Sequence, residues 1–410
     1  GPFSFTALTG GATNTLYLAR GACGAQAVVR CLAALPASVV DRRMEARLQE
    51  MCAAAGLGPA ILRDLEALKP PGSPMSWRAE AYVSGRSLDR ESMRLPRNLR
   101  ALGATLRAMH DLSPAESRGE SGSTPRISAW SRAAALGDAA DALLATDPRS
   151  AASSERVALP TPGGVVKGAD SWRSVADSVA ASVKASLRSL GPEAGRERIC
   201  HCDANPGNVI VLRPSDAALP SAGPGALGAT AAARKPGSAA SSSGAGVSSP
   251  AAAGPCLQLI DFEYAAWAPR ALDLANVLAE AEFENSASAP EGEDSGQGFA
   301  HNPRWALPRA SVAELLAGYG GSALAPQLAK EARALLPLIH LSWGLWGVMM
   351  AARSGQSVNE VGAAVDADGG RSGWSYWHYA AVRLGQAAAA GAARAPVAAA
   401  AGSAGDGRRV

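Results

Sequence analysis

The chain is short of cysteine, of net charge and of long apolar runs, and each shortage narrows what it can be. Six cysteines in 410 residues (Cys23, Cys31, Cys52, Cys200, Cys202 and Cys256) include no C-x-x-C pair of the usual zinc or redox type. A reducing, cytoplasmic compartment is therefore expected. The 39 Lys and Arg against 36 Asp and Glu leave a net charge of +3, too even a balance to recruit nucleic acid by charge, although a small anionic ligand remains open. The opening "GPFSFTALTGG" has no basic start followed by an apolar run, so no secretory signal is expected there, and it lacks an initiator Met, as a truncated N-terminus would. One stretch alone, Ala334 to Ala352, is nearly apolar over the length of a membrane span, and Pro337, His340 and Ser342 interrupt it. A buried helix that is apolar all round is expected rather than membrane insertion.

What the chain does have is enough apolar sequence, 47%, for a sizeable core in two domains or one two-lobed enzyme. Residues 1–85 read as a small unit of strands and one helix. "FSFTAL" and "TLYLAR" flank the turn "TGGATN", "AQAVVRCL" is a third strand, and "SWRAEAYVSG" is a later one. Between them "DRRMEARLQEMCAAA" carries Met44, Leu48 and Met51 at helical spacing before "GLGP" stops it. From Leu99 to Leu112 an amphipathic helix introduces a mainly helical region, 86–385. Residues 113–165 (with a helical middle), 217–255 and 285–302 read as insertions, the last two disordered, and 386–410 is a low-complexity tail.

Chemistry concentrates in "ICHCDANPGNVIVL", residues 199–212. Its thiols, imidazole and carboxylate suit a metal knuckle, a redox pair or a catalytic loop. A zinc site would want a second ligand pair, and the nearest candidates, Cys256 and His301, lie in or beside low-complexity sequence. The spacing of His201, Asp203 and Asn208 is H-x-D-x-x-x-x-N, and Asp261 ends an apolar strand in "LQLIDFEYA". Phosphoryl transfer asks for little more than this: a carboxylate to orient the alcohol, and acids or amides to hold magnesium. Asp203 would accept or orient the hydroxyl, Asn208 and Asp261 would hold magnesium, and His201 would brace the loop. An isolated H-x-D is common, and a lone D-F-E is as readily the capped end of a strand; the combination carries the signal. ATP would then need a phosphate cover and a cation. "TGGATNT" supplies Gly10, Gly11, Thr13 and Asn14. Arg30 is the only basic residue on the third strand, with Glu45 following on the helix, in the order of the Lys–Glu pair of protein kinases. Singly, a Gly-Gly turn is a hairpin and Arg30 a surface residue.

These motifs resemble the choline/ethanolamine kinase family. "HCDANPGNVIV", "LIDFEYAAWAPRALDLANVLAE", "LSWGLWGVMMAA" and "WSYWHYAAVRL" are similar to its signatures, in order, from about Leu8 to Leu384. The resemblance implies an α+β, protein-kinase-like bilobal fold, with a small β-rich N-lobe and a larger, mainly helical C-lobe. It also implies ATP at a hinge near Glu80, Ala81, Tyr82 and Val83, and an amino-alcohol pocket using Tyr264, Glu280, Trp343, Trp346, Trp374 and Tyr379. Trp343 and Trp346 are three apart and share a helix face, aromatic faces attract an ammonium group, and Glu280 would neutralise it. The chain departs from the family's pattern at Cys202, Asn205, Val277 and Asn285. "AYVSGRSLD" and "YAAVRLGQ" look closer to ethanolamine kinases. The expectation is an ethanolamine kinase, as a monomer or homodimer. A choline or dual kinase, an aminoglycoside-type phosphotransferase and an inactive kinase-like binding protein are the alternatives.

Overall fold

The computed structural model describes residues 3–8, 13–64, 76–112, 127–146, 171–213, 256–284, 299–354 and 375–392. The chain divides into two compact units. One comprises Gly1–Arg126, Arg198–Trp267 and Leu307–Pro326, the other Ile127–Glu197, Ala268–Ala306 and Gln327–Val410.

The first unit is built on a five-stranded antiparallel sheet of β1 (Phe3–Leu8), β2 (Thr15–Gly21), β3 (Gln26–Leu32), β4 (Ile61–Asp64) and β5 (Ser76–Ala81), in the order β1-β2-β3-β5-β4. The central strand β3 pairs Arg30 with Leu16 on one side and with Arg78 on the other. Helix α1 (Arg42–Ala54) begins where Asp41 accepts from the amides of Arg43 and Met44, satisfying donors that the first turn leaves open. Its buried face is Glu45, Leu48, Gln49 and Cys52, turned by one residue from the Met44/Leu48/Met51 stripe that the sequence suggests.

A second, three-stranded sheet has the order β6 (Gly85–Ser87), β8 (Val209–Leu212), β9 (Leu257–Leu259), and β7 (Glu197–Cys200) leads into residues 201–208. Gly85 is required where it stands, since a Cβ there would lie 2.4 Å from the Val211 carbonyl oxygen. After the short helix α2 (Arg90–Met93), α3 runs Pro96–His110 and buries Leu99, Leu102, Leu106 and Met109. It starts three residues before the expected Leu99 because Pro96 occupies its first turn, where a missing amide costs nothing.

In the other unit α4 (Ala129–Thr146) packs against α5 (Trp172–Ser189), whose first amides, Trp172 and Arg173, donate to Asp141 at 2.8 and 3.0 Å. This α4 is the helical middle expected within 113–165. Helix α6 (Ala271–Glu280), the later part of α7 (Arg309–Arg353) and α8 (Tyr376–Ala392) complete the unit. α7 leaves helical geometry at Gly321 (φ 77°, ψ 163°), a conformation that suits glycine. It contains the apolar stretch of the sequence and is the one helix among the described residues long and apolar enough to cross a membrane, but 78% of that window is buried inside the protein.

Two expectations need correction. The end of the 285–302 stretch is ordered: Ala300–His301 pairs antiparallel with Phe283–Glu284, and Phe299 is buried near Phe283 and Tyr379. The tail begins later than 386, because α8 continues to Ala392. Residues 217–255 lie outside the described residues.

Candidate active site

The loop from β7 to β8 is tied to the strand that carries Asp261. His201 is fully buried and its Nε2 lies 2.9 Å from the Ile260 carbonyl oxygen, while the Ile260 amide donates to Asn208 O at 3.0 Å. Its imidazole ring stands 5.1 Å from that of Phe262. His201 is thus a brace between two loops. Cys202 (φ 62°) and Asp261 (φ 64°) are the only non-glycine residues at positive φ among the described residues. Such backbone costs roughly 1–3 kcal/mol and persists where surrounding structure imposes it; here it turns each loop sharply at its carboxylate.

Asp203 is held on both oxygens. Asn205 Nδ2 donates to Oδ1 at 2.9 Å, and Asn208 Nδ2 donates to Oδ2 at 2.8 Å and to the Asp203 carbonyl at 3.0 Å. The two amides fix the plane of the carboxylate. With its nitrogen turned to Asp203, Asn208 has its amide oxygen left for a cation.

Arg30 is 3% exposed and donates to Asp261 Oδ1, with Glu80 Oε2 at 3.7 Å. Burial works against its charge, yet Asp261, Glu80, Glu45 and Glu263 together hold its pKa above the ordinary value. The expected Arg30–Glu45 pair is not formed. Glu45 is bound by Arg78 at 2.8 Å and by Arg42 at 2.8 Å, because α1 turns it toward Arg78. Glu80, expected near a hinge, lies next to the end of β5. Its side chain is buried against Arg30, and burial raises its pKa, with Arg30 and Arg78 opposing. The Ala81 amide donates to Ala60 O at 2.8 Å, and Ala81 and Tyr82 are half-buried.

Thr13 and Asn14 were expected at phosphate. Their side chains donate to Glu263, the Asn14 bond being 2.9 Å. Gly10 and Gly11 lie outside the described residues.

Most of the expected pocket residues fall in the second unit. Trp343 Nε1 donates to Asn276 Oδ1 at 3.0 Å. Trp346 meets Trp343, Tyr376 and Tyr379 edge-on, with centroids 5.7, 5.6 and 5.9 Å apart. Trp346 and Tyr379 are buried, whereas Trp343 and Tyr376 are half-buried. Glu280 does not await a ligand's charge. It is 3% exposed and accepts from Arg383, itself fully buried. Tyr264 is buried in the first unit, on the turn after Asp261, and Trp374 and Asn285 lie outside the described residues.

Sequence reasoning missed Arg42, Arg78, Asn276, Tyr376, Arg383 and Glu263. Spacing could have found Arg383, which follows Tyr376 by seven and Tyr379 by four and so shares their helix face. Glu263 is the acid of D-F-E, two residues after Asp261, and could have been found there; nothing local marks the others.

The arrangement fits a nucleotide and a hard divalent cation. Asn208 and Asp261 offer an amide oxygen and a carboxylate, the oxygen donors such a cation takes. Arg30 Nε is buried with no hydrogen-bond partner, and a phosphate oxygen would satisfy it.

A family model described as choline/ethanolamine kinase matches residues 5–387. Among solved structures, the chain is similar to an ethanolamine kinase from Plasmodium vivax, with 15% identity over 94% of this chain and 82% of that one and a TM-score of 0.59. It is likewise similar to a choline kinase from Cryptosporidium parvum Iowa II, with 12% identity over 95% and 88% and a TM-score of 0.59. At these identities the likeness is one of fold, and that fold is kinase-like. No curated protein sequence matches the chain.

Proposed function

The chain belongs to the choline/ethanolamine kinase family, and from that premise we propose that it uses ATP to phosphorylate the hydroxyl of ethanolamine. The product, phosphoethanolamine, would begin phosphatidylethanolamine synthesis by the CDP-ethanolamine route. The observation that carries the reading is Asp203, clamped by Asn205 and Asn208, in a loop stitched to the residue before Asp261. In the reaction Asp203 orients the alcohol and takes its proton, a role worth about 100- to 10,000-fold. Asn208 and Asp261 would hold magnesium, which supplies charge neutralisation at the phosphates. Arg30 offers a planar fork matched to two phosphate oxygens, and its present partner is Asp261.

The amine is assigned to the Trp343, Trp346, Tyr376 and Tyr379 cluster. Since Glu280 is already paired with Arg383, the ammonium charge is met by ring faces. Glu280 contributes as a hydrogen-bond acceptor, which rewards the N–H donors that ethanolamine has and choline lacks. The oxygen concerned is Oε2, since Oε1 is held by Arg383, and leaving it without a donor costs about 1 to 3 kcal/mol. A second reading, choline or dual-specificity kinase, is favoured by the same ion pair, because ring faces alone accept a quaternary ammonium.

A coupled assay of ADP release with ethanolamine, choline, monomethylethanolamine and kanamycin tests both. Ethanolamine is expected to give the highest kcat/KM. More efficient turnover of choline would overturn the substrate, and no turnover of any amino alcohol would overturn the kinase reading.

A further inference from the structure

Glu263 follows Asp261 by two residues, on the 3-10 turn Phe262–Tyr264, and is 3% exposed. Its carboxylate receives three donors from two distant segments. Thr13 Oγ1 donates to Oε1, Asn14 Nδ2 to Oε2 at 2.9 Å, and Arg42 to Oε2 at 3.2 Å. The same donors reach further. Asn14 Oδ1 accepts from the Ala33 amide at 3.1 Å, and Arg42 donates to the Ala33 carbonyl at 3.0 Å. One carboxylate therefore joins the entry to β2, the exit from β3, the start of α1 and the turn that carries Asp261.

A buried carboxylate must have partners, and Arg42 alone would supply charge. What calls for explanation is where the other two come from. Thr13 and Asn14 are the C-terminal end of the glycine-rich turn, the segment whose backbone a kinase lays over the phosphates. Resting on the kinase reading above, we infer that Glu263 is a positioning residue that locks the end of this turn to the strand end bearing Asp261. The Thr13–Asn14 end of the turn and the loop that carries Asp261 then move as one piece. Glu263 needs no contact with the nucleotide to do this, and Thr13 acts through it.

A plain structural brace would behave differently. It would lower stability and leave nucleotide affinity alone. The test titrates the full chain with the magnesium complex of a non-hydrolysable ATP analogue by calorimetry, beside thermal melting and steady-state KM values. Glu263→Gln places an amide donor against three donors, and Thr13→Val removes one donor at nearly constant shape. Both are expected to weaken analogue binding by about 10-fold or more, as loss of hydrogen bonds to a charged group implies. KM for ATP should rise while that for the amine stays. Thr13→Ser, which keeps the hydroxyl, should restore affinity, and adding Thr13→Val to Glu263→Gln should weaken binding no further. If Glu263→Gln does not fold, the Thr13 pair decides. Wild-type affinity in Thr13→Val, or Thr13→Ser as weak as Thr13→Val, would overturn the inference while leaving the kinase reading intact. A wild-type chain that binds no nucleotide would remove both.

Discussion

Replacing Arg383 with Met should unmask the charge that the second unit keeps buried. The guanidinium is fully buried, donates to Glu280, and lies 3.5 Å from the centroid of the Phe283 ring and 5.1 Å from that of Tyr379. Met roughly fills the volume but leaves the buried Glu280 carboxylate with its cation gone. Breaking one side of a buried pair in this way costs about 3 to 5 kcal/mol, and the lost contact with Phe283 adds about 1 kcal/mol. Glu280→Gln is milder, because an amide oxygen can still accept from Arg383; a loss of about 2 kcal/mol is expected. The double variant carries no charge at this pair. It should be more stable than Arg383→Met alone, giving a coupling of about 2 to 3 kcal/mol. Calorimetric unfolding of the four proteins measures this, and it also separates the transitions of two compact units that a single two-state fit would merge. Strictly additive losses would refute the pairing. A loss below about 1 kcal/mol in Arg383→Met would refute the claim that the cation is what makes the buried carboxylate tolerable.

Asp203→Ala and Asp261→Ala should each cut turnover by about 100-fold or more, as steady-state kinetics would establish; calorimetry should find the melting temperature little changed in Asp203→Ala and lowered in Asp261→Ala, which takes the nearest carboxylate from the buried Arg30. In Glu280→Gln the KM for ethanolamine should rise more than that for choline; equal rises in parallel titrations would discard the acceptor role of Glu280. Cys202→Asn should raise the melting temperature by about 2 °C, since Cys202 stands at φ 62° and Asn tolerates that backbone better; a lower melting temperature would mean that the thiol packing matters more than the turn. His340 is buried, and burial first, then Arg383 and His301, keep its pKa well below the ordinary 6.5. It is therefore neutral in the fold and gains a proton on unfolding, so its contribution to stability is whole above pH 6.5 and is lost as pH falls below that. Melting curves of His340→Gln should fall less steeply than wild type between about pH 7 and pH 5.

How much of this was legible in the sequence depended on how local each signal was. The clustering of His201, Asp203 and Asn208 in one loop was readable because they lie within eight consecutive residues, and β1 to β3 because their strands are bounded by turn residues. β4 was not, since Ile61–Asp64 is short and is a strand only through its pairing with β5. The partner of Glu45 was beyond reach for a related reason. Register sets Arg30 directly opposite Arg78, and like charges facing across a pair are unfavourable. Acids must then come from both sides: Asp261 and Glu80 serve Arg30, and Glu45 serves Arg78. Chain order alone leaves three arginines and four carboxylates without an assignment, and only the strand register decides it. The same holds for Glu280. An acid near a row of aromatics reads as a ligand for an amine only while the chain's own cations are unplaced, and Arg383, 103 positions away along the chain, reaches it first. If the proposed amine site is right, its specificity turns on hydrogen bonding and ring geometry more than on a free charge, because Glu280 is already paired with Arg383.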